Sequence, residues 1–259
     1  QVYPIARGTA PLMTLLATWV IAHEDISFWG IAGIATLVAG IWMVSLAGKG
    51  RLRLDGITLF YTDLDRSKVR IRPIEKMARK AVDSNELFID GLQVPAEDRI
   101  GEEGQGFKYL LHGLNPERIL VAASSIGAGE TALERAVGYA KERVVFGRPI
   151  GQNQAIQHPL AECWMRLQTA ELMMWKAAWL YDAGLPCGVE ATAAKYLAAE
   201  ASFETSTRAV RTHGGFGFAK EYHVERGLRE SVLGLIAPVT QEMALCHIAE
   251  KGLGLPKSY

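Results

Sequence analysis

The chain has 259 residues, of which 49% are apolar, and its 28 basic residues balance its 28 acidic residues. This length supports one well-filled core and a second, smaller domain. A formal net charge of zero argues against a nucleic-acid partner held by the field of the whole protein. The three cysteines are too few and too widely spaced for a disulfide scaffold or a Cys-x-x-Cys metal site, and their odd number fits a reducing compartment such as the cytoplasm.

Residues 1–53 form an apolar segment that differs from the rest of the chain. No charged residue occurs between residues 26 and 48, and a helix of this length crosses a ~30 Å hydrocarbon layer. A shorter apolar run occupies residues 11–22. The pattern predicts a membrane anchor or hairpin within residues 8–48. The alternatives are a buried segment or a stretch that is not native to the rest of the chain.

Residues 54–105 show the period of two that is typical of strands. Residues 57–62 alternate in this way, and residues 87–95 predict a strand, a tight turn and a second strand that ends at Pro95. Between them, four basic residues alternate with apolar ones and give one strand face a positive charge: Arg66, Lys68, Arg70 and Arg72. This face predicts either a solvated surface or a surface for a phosphorylated ligand.

From residue 106 onward the apolar residues recur at the helical period. Asn115-Pro116-Glu117 predicts a helix start, because it combines a side-chain cap, a proline at the first position and an acid near the positive end of the dipole. The predicted helices cover residues 115–142, 154–183, 189–212, 222–235 and 240–251. Long helices joined by short loops predict a mainly α fold, in which an antiparallel four-helix bundle at 106–259 follows a partial small β-domain at 54–105.

Two glycine motifs each have two interpretations. Residues 127–132 have the G-x-G-x-x-A form of a dinucleotide fingerprint, but the helical period across them favours close packing between helices. Residues 213–217, His-Gly-Gly-Phe-Gly, predict either an ordinary helix cap or a place where backbone amides approach a ligand closely. The chain has no G-x-S-x-G elbow and no H-E-x-x-H spacing, so we expect neither serine-based acyl transfer nor a metal site.

Residues 143–154 hold the most informative pattern in the chain. Together with Gln157, they place the guanidinium of Arg143, the ring of Phe146 and two side-chain amides, one of them that of Gln154, around one corner of the predicted bundle. These groups suit a diphosphate and a flat heterocycle. The plain alternative is the end of one helix, a turn and the start of the next.

The chain from about residue 55 to residue 259 resembles the second half of an acyl-CoA dehydrogenase. The matching motifs are Val94-Pro95, Gly-Glu-Glu-Gly-Gln-Gly-Phe at 101–107, Arg-x-x-Phe-Gly-x-x-Ile at 143–150, His-Gly-Gly-Phe-Gly-Phe at 213–218 and Glu-Tyr-His-Val-Glu-Arg at 221–226. They stand in the order that the family has. The resemblance implies a flavoprotein of fatty acid metabolism with a helical domain, a small β-domain and a four-helix bundle, assembled as a homotetramer that is a dimer of dimers.

The resemblance also implies an FAD cofactor and assigns residues to it. The residues implied to bind FAD are, in chain order, Arg143, Phe146, Gln154, Gly214, Gly215 and Thr240. The first two would hold the diphosphate end, the glycines would approach the cofactor, and Thr240 occupies the position of a flavin-contacting threonine. The implied reaction is the α,β-desaturation of an acyl-CoA thioester, with hydride transfer to the flavin and an electron-acceptor protein as a further partner.

The carboxylate that removes the α-proton is assigned by the same resemblance. Most members carry it in a Glu-Gly-Thr sequence, where this chain has Pro238-Val239-Thr240. A minority place it in the first bundle helix before an arginine, and Glu117-Arg118 matches that pattern, with Arg118 as a substrate contact. The alternatives are that Glu117 only satisfies a helix start, where the dipole would lower its pKa, or that Glu242 is the base.

The front of the chain departs from the family. The N-terminal helices of the family and the first half of its β-domain are not recognisable in residues 1–50. This departure predicts either a membrane segment fused to a truncated dehydrogenase or a stretch translated out of frame. The alternative function is therefore a truncated, catalytically inactive relic that is attached to a membrane or acts only as an oligomerisation module.

Overall fold

The structure is a computed structural model, and it describes residues 56–258. The chain divides into two compact units, and the boundary between them falls between Gly113 and Leu114. The predicted apolar domain at residues 1–53, with its membrane segment at 8–48, lies outside the described residues.

The first unit contains two small antiparallel sheets. Strand β1 (Leu59–Phe60) pairs with β4 (Arg99–Ile100), and β2 (Val69–Pro73) pairs with β3 (Asn85–Ile89). The predicted second strand before Pro95 is wrong. Gly91 has a φ of +66°, which reverses the chain after β3, and the following residues lead into a 3₁₀ turn instead.

The basic face of β2 has partners across the sheet. The guanidinium of Arg70 lies 4.6 Å from the ring centroid of Phe88, and that of Arg72 lies 3.8 Å from the Glu86 carboxylate. Cross-strand pairs of this kind stabilise an exposed sheet surface. They favour the solvated interpretation of this face over a surface for a phosphorylated ligand.

From Gly106 to Lys251 the chain is mostly helical, and the predicted mainly α bundle is confirmed. The helices are α1 (Gly106–Glu142), α2 (Gln154–Asp182), α3 (Gly188–His213), α4 (Val224–Ile236) and α5 (Gln241–Lys251). The predicted start of α1 at Asn115 is wrong, because the helix begins nine residues earlier and contains Pro116. Residues 106–114 include Phe, Lys, Tyr and Leu, which are compatible with a helix, so the helix starts before Pro116. It continues through Pro116, which has no backbone N–H and so leaves one helical hydrogen bond unmade.

Helix α3 contacts α2, α4 and α5, and 13 of its 26 residues are buried. The helices approach closely because alanine dominates their buried faces, as at Ala122, Ala136, Ala170, Ala194 and Ala198. Gly129 of α1 belongs to the same packing: a β-carbon there would lie 2.6 Å from Cδ2 of Leu167 and 3.2 Å from Cα of Ser202. The glycine motif at 127–132 is therefore a helix-packing motif, and the dinucleotide fingerprint does not apply.

By length and hydropathy alone, Val224–Lys251 would be long enough to cross a membrane. The stretch is not one continuous helix, because α4 ends at Ile236 and α5 begins at Gln241. Both helices also contact α3 within the bundle.

Candidate functional site

An open groove with a volume of about 450 Å³ lies where the C-terminal ends of α1 and α3 meet. Its lining comes from three stretches of chain and consists of Tyr139, Arg143, Val145, Ile150, Thr212, His213, Gly214, Gly215 and Phe216. Three of the predicted cofactor-binding residues are therefore brought together here: Arg143, Gly214 and Gly215. The fold leaves this corner of the bundle open to a ligand.

Aromatic rings build one wall of the groove. Tyr139 stacks on His213 with ring centroids 4.3 Å apart, and Tyr222 meets both rings edge-on at 5.9 and 5.6 Å. His213 is buried, and its Nδ1 lies 2.8 Å from the Ala209 carbonyl oxygen, so its ring is fixed. Tyr139 was not predicted from the sequence, although its i, i+4 spacing to Arg143 on one helix face was a usable signal.

Arg143 supplies a positive charge at the groove. It follows directly on α1, and its guanidinium carbon lies 6.0 Å from the ring centroid of Phe216. Among residues 56–258, no carboxylate lies within ion-pair distance of it. An exposed guanidinium with free donors is well suited to a phosphate or diphosphate group.

The three glycines that follow His213 have three different roles. Gly214 has a φ of +59°, a conformation that favours glycine. A β-carbon on Gly217 would lie 2.3 Å from the carbonyl oxygen of Val210, so Gly217 is required by packing. Gly215 has neither constraint, because a β-carbon there would meet no atom within 4 Å. The missing side chain of Gly215 leaves backbone exposed to the groove, as a closely approaching ligand requires.

Phe146 and Gln154 do not line the groove. Val144–Val145 (β5) pairs with Arg148–Pro149 (β6) in a tight hairpin, and Phe146 stands fully exposed at its turn with a φ of +52°. Gln154 is the exposed first residue of α2. The predicted turn is confirmed, the hairpin strands were not predicted, and the cofactor contacts of these two residues stay predictions.

Glu117 lies well inside α1, and this position removes the objection that a helix start would lower its pKa. Burial raises the pKa of Glu117 to about 7, against the opposing effect of the neighbouring Arg118 charge. A carboxyl group with a pKa near neutrality is suited to accept a proton at physiological pH.

Arg118 is held from within the same helix. Its Nη1 donates a hydrogen bond of 3.1 Å to Oδ1 of Asn115, and burial lowers its pKa. Its buried Nε has no partner among the residues that the structure describes. This N–H is a donor for which a substrate oxygen would be a suitable acceptor.

Thr240 and Glu242 stand at the start of α5, and neither lines the groove. The hydroxyl of Thr240 accepts a hydrogen bond of 3.3 Å from the backbone N–H of Met243, which makes Thr240 the N-cap. Backbone N–H groups of this helix start, with the Thr240 hydroxyl, hold the pKa of the exposed Glu242 below its usual range. A lowered pKa makes Glu242 a weaker base than Glu117.

The raised pKa of Glu117 predicts how stability depends on pH. Below pH 4.5, its ordinary pKa, the Glu117 carboxyl is protonated in both the folded and the unfolded state and does not affect stability. Above about pH 7 it is ionised in both states, and the full cost of burying its charge destabilises the folded state. We expect Glu117→Gln to raise the free energy of unfolding by about 2 kcal/mol at pH 8, after discounting for solvent screening, and to leave it nearly unchanged at pH 4.5. Urea unfolding at both pH values measures this, and an equal effect at both would contradict it.

Comparison with known proteins identifies the family of the chain. The profile of the acyl-CoA dehydrogenase C-terminal domain matches residues 104–253. The acyl-CoA dehydrogenase FadE12 of Mycobacterium tuberculosis is 40% identical over 249 residues, which take in 92% of this chain and 63% of that protein. The butyryl-CoA dehydrogenase structure from Megasphaera elsdenii superposes with a TM-score of 0.74 at 34% identity, covering 81% of this chain and 55% of that one. A structure titled as the FAD complex of PigA superposes with a TM-score of 0.75 at 25% identity, over 80% and 54% of the two chains.

The chain belongs to the acyl-CoA dehydrogenase family of FAD-dependent oxidoreductases. It spans 63% of the length of the mycobacterial relative. Because the alignment with that relative takes in 92% of the chain, it extends into residues 1–50.

Proposed function

We propose that this protein catalyses the α,β-desaturation of an acyl-CoA thioester with FAD. Because Tyr139 of the groove lies 22 residues beyond Glu117 on α1, about 33 Å along the helix, the groove would hold the diphosphate end of the cofactor of a neighbouring copy of the chain. The observation that carries the proposal is a partly buried carboxyl group with a pKa of about 7, Glu117, in the same helical unit as an open groove that bears a free guanidinium. A base for a weakly acidic proton and a site for a dinucleotide are the two requirements of this reaction.

The groove fits the chemistry of FAD. Arg143 would bind the diphosphate, and the open backbone at Gly215 would let the cofactor approach without steric conflict. The aromatic rings and apolar side chains of the lining would cover its apolar surface. When bound, FAD supplies the acceptor for the hydride that leaves the β-carbon.

The residues of the chain supply the proton chemistry. Ionised Glu117 accepts the α-proton, and burial keeps its pKa high enough for that proton to be held. The N–H at Nε of Arg118 donates to a substrate oxygen, and negative charge that develops on the thioester oxygen is stabilised by the guanidinium. Asn115 holds that guanidinium in place through its bond to Nη1.

Absorbance of the purified chain tests the proposal. We expect a yellow protein that absorbs near about 450 nm, and bleaching of this band when an acyl-CoA is added anaerobically. A series of saturated acyl-CoA thioesters of increasing length then identifies the substrate. A colourless protein that takes up no added FAD would overturn the proposal and favour the inactive alternative.

An oligomer is the second part of the proposal, and an exposed stripe on α2 supports it. Trp164, Leu172, Trp175 and Trp179 are each more than half exposed, at 56%, 73%, 60% and 64%. An exposed apolar patch of aromatic residues is typical of an interface. We propose a homotetramer, built as a dimer of dimers, in which a second copy of the chain covers this stripe. An electron-acceptor protein would be a further partner, binding after reduction.

Charged substitutions on the stripe test the oligomer. We expect the double variant Trp175→Asp with Trp179→Asp to sediment as a smaller species at micromolar concentration, because a buried, unpaired carboxylate is costly at an interface. The matched control, Trp175→Phe with Trp179→Phe, keeps the apolar surface and should sediment like the unmodified chain. Equal sedimentation of the aspartate variant and the control would contradict this role for α2.

A further inference from the structure

Lys195 of α3 is an unusual component of the bundle core. It is completely buried, and in the part of the chain that the structure describes it is the largest of the fully buried side chains. Among residues 56–258, no carboxylate lies within ion-pair distance of its ammonium group. Burial lowers the pKa of Lys195 to about 8, so the protein carries a free-energy cost to keep this group inside.

The ammonium group binds the chain on both sides of Thr240. Lys195 Nζ donates a hydrogen bond of 2.7 Å to the carbonyl oxygen of Val239 and one of 2.8 Å to Oε1 of Gln241. Val239 lies in the loop between α4 and α5, and Gln241 is the first residue of α5. The two residues that flank Thr240 are thus tied to the same nitrogen atom on a neighbouring helix.

Gln241 extends this arrangement and is fully hydrogen-bonded. Its side-chain nitrogen donates to Oε1 of Glu200 at 2.9 Å and to the carbonyl oxygen of Tyr196 at 3.2 Å. Glu200 and Tyr196 both belong to α3, so Gln241 is held to that helix at three points. Networks with every polar group satisfied restrict a segment to one geometry.

The cost of burying Lys195 indicates a purpose other than stability. A methionine of similar length would fill the same space without the cost of burying a charge. It would not bind the carbonyl oxygen of Val239 or the amide of Gln241. What the lysine adds over an apolar residue is therefore a fixed position for the chain around Thr240.

We infer that Lys195 is a positioning residue for the cofactor, because it fixes Val239 and Gln241 and thereby sets where Thr240 presents its hydroxyl group. The inference rests on the proposed function and on the expectation, which the family resemblance implies, that Thr240 contacts the flavin. Lys195 does not itself line the groove.

Hydrogen exchange on the FAD-free chain tests the first half of the inference. We expect Lys195→Met to accelerate amide exchange about tenfold in peptides that cover residues 237–245, since two hydrogen bonds to a charged donor are lost. Leu167→Ala, which opens a cavity under α2, is the control for general destabilisation and should leave those peptides unchanged relative to the rest of the bundle. Gln241→Met removes one of the two bonds, keeps the lysine, and should give an intermediate effect if Lys195→Met folds poorly.

FAD titration in a double-mutant cycle tests the second half. We expect Lys195→Met to weaken FAD binding about tenfold in the unmodified background and less than about twofold in the Thr240→Val background, because both changes act on one contact. Thr240→Ser keeps the hydroxyl group and should preserve the effect of Lys195→Met.

The outcomes of these experiments distinguish the role of Lys195 from the proposed function. Uniform exchange in Lys195→Met and Leu167→Ala, or additive effects of Lys195→Met and Thr240→Val on FAD affinity, would overturn the role of Lys195. Failure of the unmodified chain to bind FAD would overturn the proposed function instead, and the exchange experiment would still show whether Lys195 fixes the loop.

Discussion

Glu117→Gln should abolish turnover while the flavin remains bound. Glutamine has nearly the same shape as glutamate but cannot accept the α-proton, and a general base contributes about 10²- to 10⁴-fold to a rate. We therefore expect a loss of at least about 10³-fold in kcat, measured with an acyl-CoA and an artificial electron acceptor. For the unmodified enzyme, kcat should rise with pH through about 7, because ionisation of Glu117 creates the base.

The matched control is Glu242→Gln. Glu242 is exposed at the start of α5, and its pKa lies below the usual range, so it is poorly suited to hold a proton. We expect this variant to keep more than about half of the activity. Activity retained by Glu117→Gln and lost in Glu242→Gln would reverse the assignment and contradict the proposed mechanism.

Gly215→Val should weaken FAD binding and leave the free energy of unfolding nearly unchanged. A β-carbon at Gly215 meets no atom within 4 Å, and its φ is not positive, so we expect the free energy of unfolding to change by less than about 1 kcal/mol. A side chain in the path of the cofactor should nevertheless weaken FAD binding about 100-fold or more, measured by fluorescence titration.

Gly217→Ala is the opposite control. Its β-carbon would lie 2.3 Å from the Val210 carbonyl oxygen, so we expect destabilisation of about 2 kcal/mol or more. Any loss of FAD binding in this variant should follow its loss of folded protein. If Gly215→Val bound FAD like the unmodified chain, the placement of the cofactor against this backbone would be incorrect.

The sequence predicted the helices well because their signals are local. The apolar period and a Gly-Leu-Pro stop placed the end of α2 within one residue of Asp182, and its start at Gln154 was correct. The start of α1 was wrong for a reason that is also local. The sequence pattern Asn-Pro occurs both at the first position of a helix and inside a helix. Tertiary packing determines which of the two positions it takes.

The site was only partly predictable because it is made by tertiary contacts. Arg143 and the glycines after His213 were identified by motif, but the stacking of Tyr139 on His213 joins residues that are 74 positions apart. The sequence also left the direction of the Glu117 pKa shift open. Burial decides it by raising the pKa, and the observed start of α1 removes Glu117 from the helix terminus whose dipole would lower that pKa. Electrostatic environment is the property that sequence reveals least.

The alanine-rich faces of α1, α2 and α3 determine which mutations this protein tolerates. Alanine has only one methyl group to delete, so truncation to glycine at these buried positions costs about 1 kcal/mol, chiefly through lower helix propensity. Enlargement is different: one added methylene at Ala122 or Ala198, neither of which is exposed to solvent, must push two helix axes apart along their whole length. Tolerated substitutions at these positions should therefore be exchanges among glycine, alanine and serine. The distance between helix axes should then vary less than the identity of the residues between them.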